Sequence, residues 1–278
     1  MVEVVYKGQL GNNLFQYCLG RILAEDLGFA LAAEPIRGFP HTADAVEGAR
    51  YESPTVVLSG QHAELARLRA QPPECRILLN GWFQRHEYYR PHREKIRRWL
   101  AFDDTVRPPA TVPDTVVHVR RNDYVSNGWA LPFSFYEEAL NRVSPGHVWI
   151  LTDDPNDPFF RRFARWQPRF SSGTALEDLR FMSAAKRIVM SQSTFSWWAT
   201  FLGDPVEVVC PDPSFGAWSP SGEEAALIER DRFTCVRCED PYTPSKRESW
   251  YQRRRAVRPA IARTVRRWIP IPTLRRSG

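Results

Sequence analysis

Three short runs hold the side chains best suited to chemistry. In VVHVRRNDY, residues 116–124, a β-branched strand runs into His118, Arg120, Arg121 and Asp123. Strand alternation sends Val117 and Val119 to one side and His118 and Arg120 to the other, with the strand ending near Arg121. A guanidinium is planar, permanently charged and forked, which suits a phosphate. Two of them at the carboxyl end of a strand, followed by an acid able to orient one, fit a diphosphate clamp. They fit equally a solvated basic turn in which Arg121 pairs with Asp123. In ILTDDP, residues 150–155, Thr152, Asp153 and Asp154 close another strand. Such acids suit a metal–nucleotide contact, a ribose hydroxyl or a helix N-cap. In SQSTFSWWA, residues 191–199, Ser191, Ser193, Thr194 and Ser196 stand where a strand turns into a helix. Hydroxyls and free N–H groups there make an anion site, although each residue is also a favoured cap.

The surrounding pattern supplies the elements that must position these groups. Residues 2–32 read as strand, Gly-containing turn, long helix and strand, with Leu14, Tyr17, Cys18, Ile22 and Leu27 near a 3.6-residue period and Gly28 as the stop. TVVLSG, RILLNGWF and the helix-like HREKIRRWLAF follow. RPPATVPD, residues 107–114, is the candidate domain joint. Beyond it strands and helices alternate regularly to VEVVCPDP, which predicts parallel α/β units with ligands at the carboxyl ends of the strands. Trp197 and Trp198 read as core or inter-lobe packing. GQLGNNLFQ, residues 8–16, is only loosely like a phosphate loop, since it lacks the Walker Lys, but Gly8 and Gly11 allow close backbone approach.

At 43% hydrophobic and 25% charged residues, the 278-residue composition is that of a globular protein with room for two lobes. The formal charge of +6 is unevenly spread. Residues 246–278 hold eleven Lys or Arg against one acid, Glu248, so the rest of the chain is mildly acidic. That argues against a nucleic-acid footprint over the whole protein. Five Cys at irregular spacing, with no signal peptide ahead of them, point to a reducing compartment, and Cys235 and Cys238 read as two ordinary thiols. No apolar run reaches bilayer length, and neither G-x-S-x-G, H-E-x-x-H nor a His/Cys metal spacing occurs.

Taken together the runs resemble the bacterial α-1,2-fucosyltransferase family, inverting transferases of the glycosyltransferase family 11 type that use GDP-fucose. GQLGNNLFQYCLGRILAEDLG is similar to the family's N-terminal Gly-Leu-Gly-Asn…Phe-Gln-Tyr signature, and LLNGWFQRHEYYRPHREKIRRWLAF to its Gly-aromatic-x-Gln stretch. HVRRNDY is similar to its His-x-Arg-Arg-x-Asp motif, while ILTDDP and LEDLRFMSAAKRIVMSQSTFSWWATFLG match its donor motifs. The likeness runs from Val4 to about Pro211, departing at Asn13, Asn122 and Gln192.

The resemblance implies an α/β fold of GT-B type, with two Rossmann-like lobes and the donor site in the C-terminal one. The implied division is an acceptor-side lobe over residues 1–112, a GDP-sugar lobe over 113–245 and a basic amphipathic tail over 246–278. It implies transfer with no metal and no cofactor, GDP-fucose being the donor substrate. Arg120 would then grip the β-phosphate with Arg121 beside it, and Asp178 would accept from guanine N–H groups. Asp153 and Asp154 would lie near the nucleoside. Ser193, Thr194 and Ser196 would complete the phosphate cradle, with Gly11 and Asn12 closing on the donor from the other lobe. Inversion needs a proton acceptor, for which Asp123, His118 and the departing phosphate are the candidates.

In the tail, Val257, Ile261, Val265 and Trp268 fall on one helical stripe among arginines, the pattern of a helix lying on an anionic membrane, or of a solvated basic tail. The expectation is a cytoplasmic protein attached peripherally to the inner membrane face, where it meets a lipid-linked or other surface glycan whose galactose O2 receives the sugar. Two alternatives stand beside it. One is a transferase using another GDP-sugar. The other is a non-catalytic, basic-tailed protein binding membrane or nucleic acid on a transferase scaffold.

Overall fold

The computed structural model describes residues 1–59, 68, 74–213, 227–238 and 240–255. Two parallel sheets lie on either side of the 107–114 joint, as the α/β pattern predicts. Residues before it form a four-stranded sheet of order β2-β1-β4-β3, with β1 Val2–Val4, β2 Leu31–Ala32, β3 Thr55–Leu58 and β4 Arg76–Leu79. Residues after it form a six-stranded sheet of order β10-β9-β8-β5-β6-β7. Its strands are β5 Thr115–Val119, β6 Val148–Thr152, β7 Arg169–Phe170, β8 Arg187–Val189, β9 Glu207–Pro211 and β10 Thr234–Val236.

Strand β5 is central, paired in parallel with β6 on one edge and β8 on the other. A central strand is covered on both faces, and TVVHV is buried at all five positions, Thr115 and His118 included. Val117 and Val119 belong to one core cluster and Val116 to the other, so the predicted alternation is seen. The Leu10–Leu27 helix stops where Gly28 takes φ 68 and its N–H bonds Ala24. A Thr174–Glu177 capping box starts the Ala175–Ser183 helix.

Aromatic packing joins the lobes. Phe15 of the Leu10–Leu27 helix sits 4.9 Å from Trp197 and 4.8 Å from Trp198, both on the Thr194–Leu202 helix and both fully buried. Trp198 Nε1 donates to Gly11 O at 2.8 Å. A Cβ on Gly11 would fall 2.5 Å from Thr194 Oγ1 and 2.8 Å from Phe195 N, so only glycine lets the two helices meet end to end. On the far side Arg93 donates to Phe201 O at 2.9 Å and pairs with Asp204.

The expected boundary at 245 is corrected. Residues 246–255 form a helix docked on the C-terminal lobe. Glu248 is buried, pairs with Arg162 at 3.1 Å and accepts from Ser245 N, while Tyr251 and Gln252 bond Asp154 and Asp157. A buried carboxylate needs such partners, so these ten residues complete the lobe rather than begin a free tail. The apolar stripe from Val257 to Trp268 lies outside the described residues. No helix among the described residues is long and apolar enough to cross a membrane.

Candidate functional site

A cleft of about 710 Å³ opens between the lobes at the carboxyl ends of β5, β6 and β8. Arg120, one residue past β5, reaches into it. Its Nε donates to Asp153 Oδ2 at 3.0 Å, its Nη2 to Asp123 Oδ1 at 2.6 Å, and its guanidinium lies 4.6 Å from the Tyr124 ring centre. Burial disfavours the charge, but Tyr124, Asp153 and Asp123 outweigh it and hold the pKa above the ordinary arginine value. Asp153 is shared: its Oδ1 accepts from Arg121 N at 2.7 Å, which ties the side-chain position of Arg120 to the backbone that carries it. No bond from the remaining nitrogen, Nη1, is seen among the described residues, so a cation fixed by two carboxylates lines the cleft with donor capacity to spare.

Arg121 does something else, and its expected place in the clamp is corrected. It is fully buried behind the strand ends, its Nε 2.9 Å from Asp157 Oδ2 and its Nη2 2.6 Å from Tyr242 Oη. Phe159 and Tyr242 lie 4.1 and 4.5 Å from the guanidinium. Its pairing is therefore with Asp157, and Asp123 belongs to Arg120. Asp154 is corrected as well: it is nearly buried and turned to Tyr251 Oη at 2.9 Å and to Arg255, away from the cleft. Neither partner set has a local sequence signal, since Tyr242 and Tyr251 lie about a hundred residues downstream of the groups they hold.

The Thr194–Leu202 helix presents its N-terminus to the cleft through Ser193 and Thr194, with Ser193 Oγ capping Phe195 N at 3.3 Å. Unpaired N–H groups at such an end attract an anion. Ser196 is not part of that rim, which corrects the cradle to two hydroxyl residues. It is fully buried, with its Oγ 2.5 Å from His118 Nδ1, and Ser191 Oγ is 2.9 Å from the same nitrogen. Burial and the nearby Arg120 charge push the His118 pKa down to about 3, so the ring is neutral at pH 7. Its protonated form is too acidic for it to hold a proton well.

Asp178 and Ala175 line the opposite wall, at the start of the Ala175–Ser183 helix. Ser171 Oγ donates to Asp178, but burial, aided by Glu177, raises the Asp178 pKa above the usual carboxylate range. From the N-terminal lobe come Gly8, Gly11, Asn12 and Trp82, with Gln84 Nε2 donating to Asn12 Oδ1 at 3.0 Å. The structure thus brings Arg120, Asp123, His118, Asp153, Asp178, Ser193, Thr194, Gly11 and Asn12 to one cleft. Trp82, the aromatic of the Gly-aromatic-x-Gln stretch, and Trp129 also line the cleft, and the motifs assign neither a role.

Residues 161–216 match the sequence model of Glycosyl transferase family 11. The resemblance to glycosyltransferase family 11 stands. The matched segment supplies the Asp178 wall and the Ser193–Thr194 corner, about half of the cleft on the C-terminal side. Two Escherichia coli proteins extend the likeness. An alpha-1,2-colitosyltransferase is 27% identical over 185 residues, 54% of this chain and 62% of that protein. The O-antigen biosynthesis glycosyltransferase WbnK is 30% identical over 103 residues, 32% of this chain and 34% of its own. This chain therefore spans less than two thirds of the length of either relative. Among solved structures, the Arabidopsis thaliana FUT1 mutant in complex with GDP aligns at 10% identity and a TM-score of 0.47, over 75% of this chain and 69% of that one.

Proposed function

We propose that the protein is an inverting glycosyltransferase that moves L-fucose from GDP-fucose to a galactose O2 of a surface glycan, without a metal. The observation that carries the reading is Arg120, a guanidinium held by two carboxylates, with donor capacity to spare, beside a helix N-terminus. Fixed donors aimed at a developing oxyanion lower its energy at no cost in reorganisation. In the proposed step the bond from C1 to the phosphate oxygen breaks. The electron pair stays with the β-phosphate of GDP, against Arg120 and the Ser193–Thr194 end of the helix. The acceptor oxygen attacks C1 from the opposite face, and its proton passes to Asp123, the half-exposed carboxylate beside Arg120. Asp178 accepts from the guanine N–H groups once ionised.

A thermal-shift panel of GDP, UDP, ADP and CMP tests the donor site. Stabilisation by GDP alone is expected, and equal response to all four refutes the assignment. Turnover is then followed as GDP release with a chelator present, where full dependence on an added divalent ion would overturn the metal-free step. A colitosyl donor is the second reading, favoured by the similarity to the alpha-1,2-colitosyltransferase. Comparing rates with the two sugars decides between them.

We place the acceptor on a lipid-linked glycan and the enzyme at the inner membrane face. The support is the run after position 255, beyond the docked helix, which holds six arginines and no acid. Equal sedimentation of the full chain and a 1–255 variant with anionic vesicles would end that part.

A further inference from the structure

We infer that Trp82 and Trp129 form a clamp for the pyranose ring of the acceptor at the mouth of the cleft, an inference that rests on the glycosyltransferase reading. Both line the cleft, one from each lobe, and both are about 40% exposed in a protein whose other inter-lobe tryptophans are fully buried. Ligand sites are lined by aromatic side chains with a few polar groups among them, and two exposed tryptophans in one cleft fit that make-up. One face of a sugar ring is a sheet of C–H groups, and an indole ring is a flat apolar surface of matching size.

The fold spends local structure on holding both rings there. Trp82 precedes Phe83, a buried non-glycine residue at φ 54. That left-handed backbone is unfavourable for phenylalanine and persists only where neighbours enforce it. Here Tyr89 Oη donates to Phe83 O at 2.6 Å, and Arg85 N–H donates to the same oxygen at 3.0 Å. The result is that Phe83 enters the core while Trp82 is turned out into the cleft. Trp82 also rests on Gly8, where an added Cβ would come within 3.0 Å of its ring and where φ is +76. The same Cβ would collide with Asn12 Nδ2, so glycine at position 8 keeps room for both the Asn12 amide and the Trp82 ring.

Trp129 is fixed from the other lobe. Its backbone N–H donates to Tyr124 O at 2.7 Å, following Gly128 at φ 73. Its ring stands edge-on to the Tyr124 ring at 5.8 Å and 86°, and Tyr124 is the ring on which Arg120 lies. A sugar against Trp129 would thus sit one aromatic ring away from the cation that receives the leaving phosphate. Asp123 and the Gln84–Asn12 amide pair border the same space and offer hydrogen bonds to hydroxyls. Sugars are read by such a combination of a flat apolar platform and a polar rim.

Lactose serves as the probe. Its affinity is measured by calorimetry for the wild type, Trp82→Ala, Trp82→Phe and Trp129→Ala, with and without GDP, and the thermal shift given by GDP is recorded for each. Each alanine variant is expected to weaken lactose by about tenfold or more, the loss typical of truncating an anchoring tryptophan. Trp82→Phe should recover part of it, and the GDP shift should persist throughout. Unchanged lactose affinity in both alanine variants, or no lactose binding by the wild type, overturns the clamp. Tryptophan-dependent lactose binding by a protein that ignores GDP would leave the clamp standing and refute the donor reading instead.

Discussion

Arg120 and Arg121 are neighbours in sequence, yet removing each should produce a different kind of damage. Arg120→Ala deletes a partly solvated side chain whose two ion pairs together contribute about 1 kcal/mol. At roughly 2–4 °C per kcal/mol for a protein of this size, Tm should move by only a few degrees. The same substitution removes the donor aimed at the departing phosphate, and kcat should fall about 100- to 1000-fold, or ~3–4 kcal/mol of transition-state stabilisation. Arg121→Ala reverses the pattern. It strands Asp157 in a site where both side chains are 0% exposed, at about 3–5 kcal/mol. It also strips the cation from between Phe159 and Tyr242, adding about 1 kcal/mol. Tm should then drop by on the order of 10–20 °C, while the fraction still folded keeps most of its turnover. The double variant Arg121→Ala with Asp157→Ala should cost clearly less than the two single losses added together, because it leaves neither charge buried without its partner. Differential scanning fluorimetry and initial-rate GDP release, run on the same preparations, read both axes. If Arg120→Ala destabilises as much as Arg121→Ala, or Arg121→Ala is stable and inactive, the division of the doublet is wrong.

Three further outcomes follow from other contacts. Because burial raises the Asp178 pKa, the folded protein holds that proton to higher pH than the unfolded chain, and only the ionised form can accept from guanine. GDP affinity measured by calorimetry should therefore fall on acidification at a pH above that at which an ordinary aspartate takes up its proton, and an Asp178→Asn variant should be weaker and lack that step. Cys235 lies 3.5 Å from Cys210 on the adjacent strand, whose hydrogen bond lowers the Cys235 pKa to about 7, while Cys210 is pushed up. Brief iodoacetamide treatment near pH 7.5 should label Cys235 first by peptide mass spectrometry; even labelling of all five thiols would contradict this. A chain ending at 245 should melt several degrees below one ending at 255, with Glu248, Tyr251 and Gln252 gone; equal melting of the two would show that the docked helix adds nothing.

The parallel α/β units and the Gly28 stop were legible because each follows from a local rule of period or cap. The strand-end groups were legible for a related reason: parallel sheets gather chemistry at their carboxyl edges, so Arg120, Asp153 and Ser193 could be placed beside one another before any fold was seen. What strand alternation could not settle was the side chain just past the strand, where the pleat no longer dictates direction. Arg121 has φ −122 and ψ −70, a turn that swings it off the strand axis toward Asp157 and Tyr242, 36 and 121 positions further along the chain. The same distance in sequence hid the docking of 246–255, since a run of arginines reads as solvated tail unless its acidic partners, Asp154 among them, are known to be waiting. Gly11 shows the converse. Its glycine is readable as a loop that approaches a phosphate, yet the close approach it permits is to Thr194 and Phe195 of the other lobe. Glycine at a cleft thus reports that backbone comes near something; only the opposing surface says whether that something is a ligand or the protein itself.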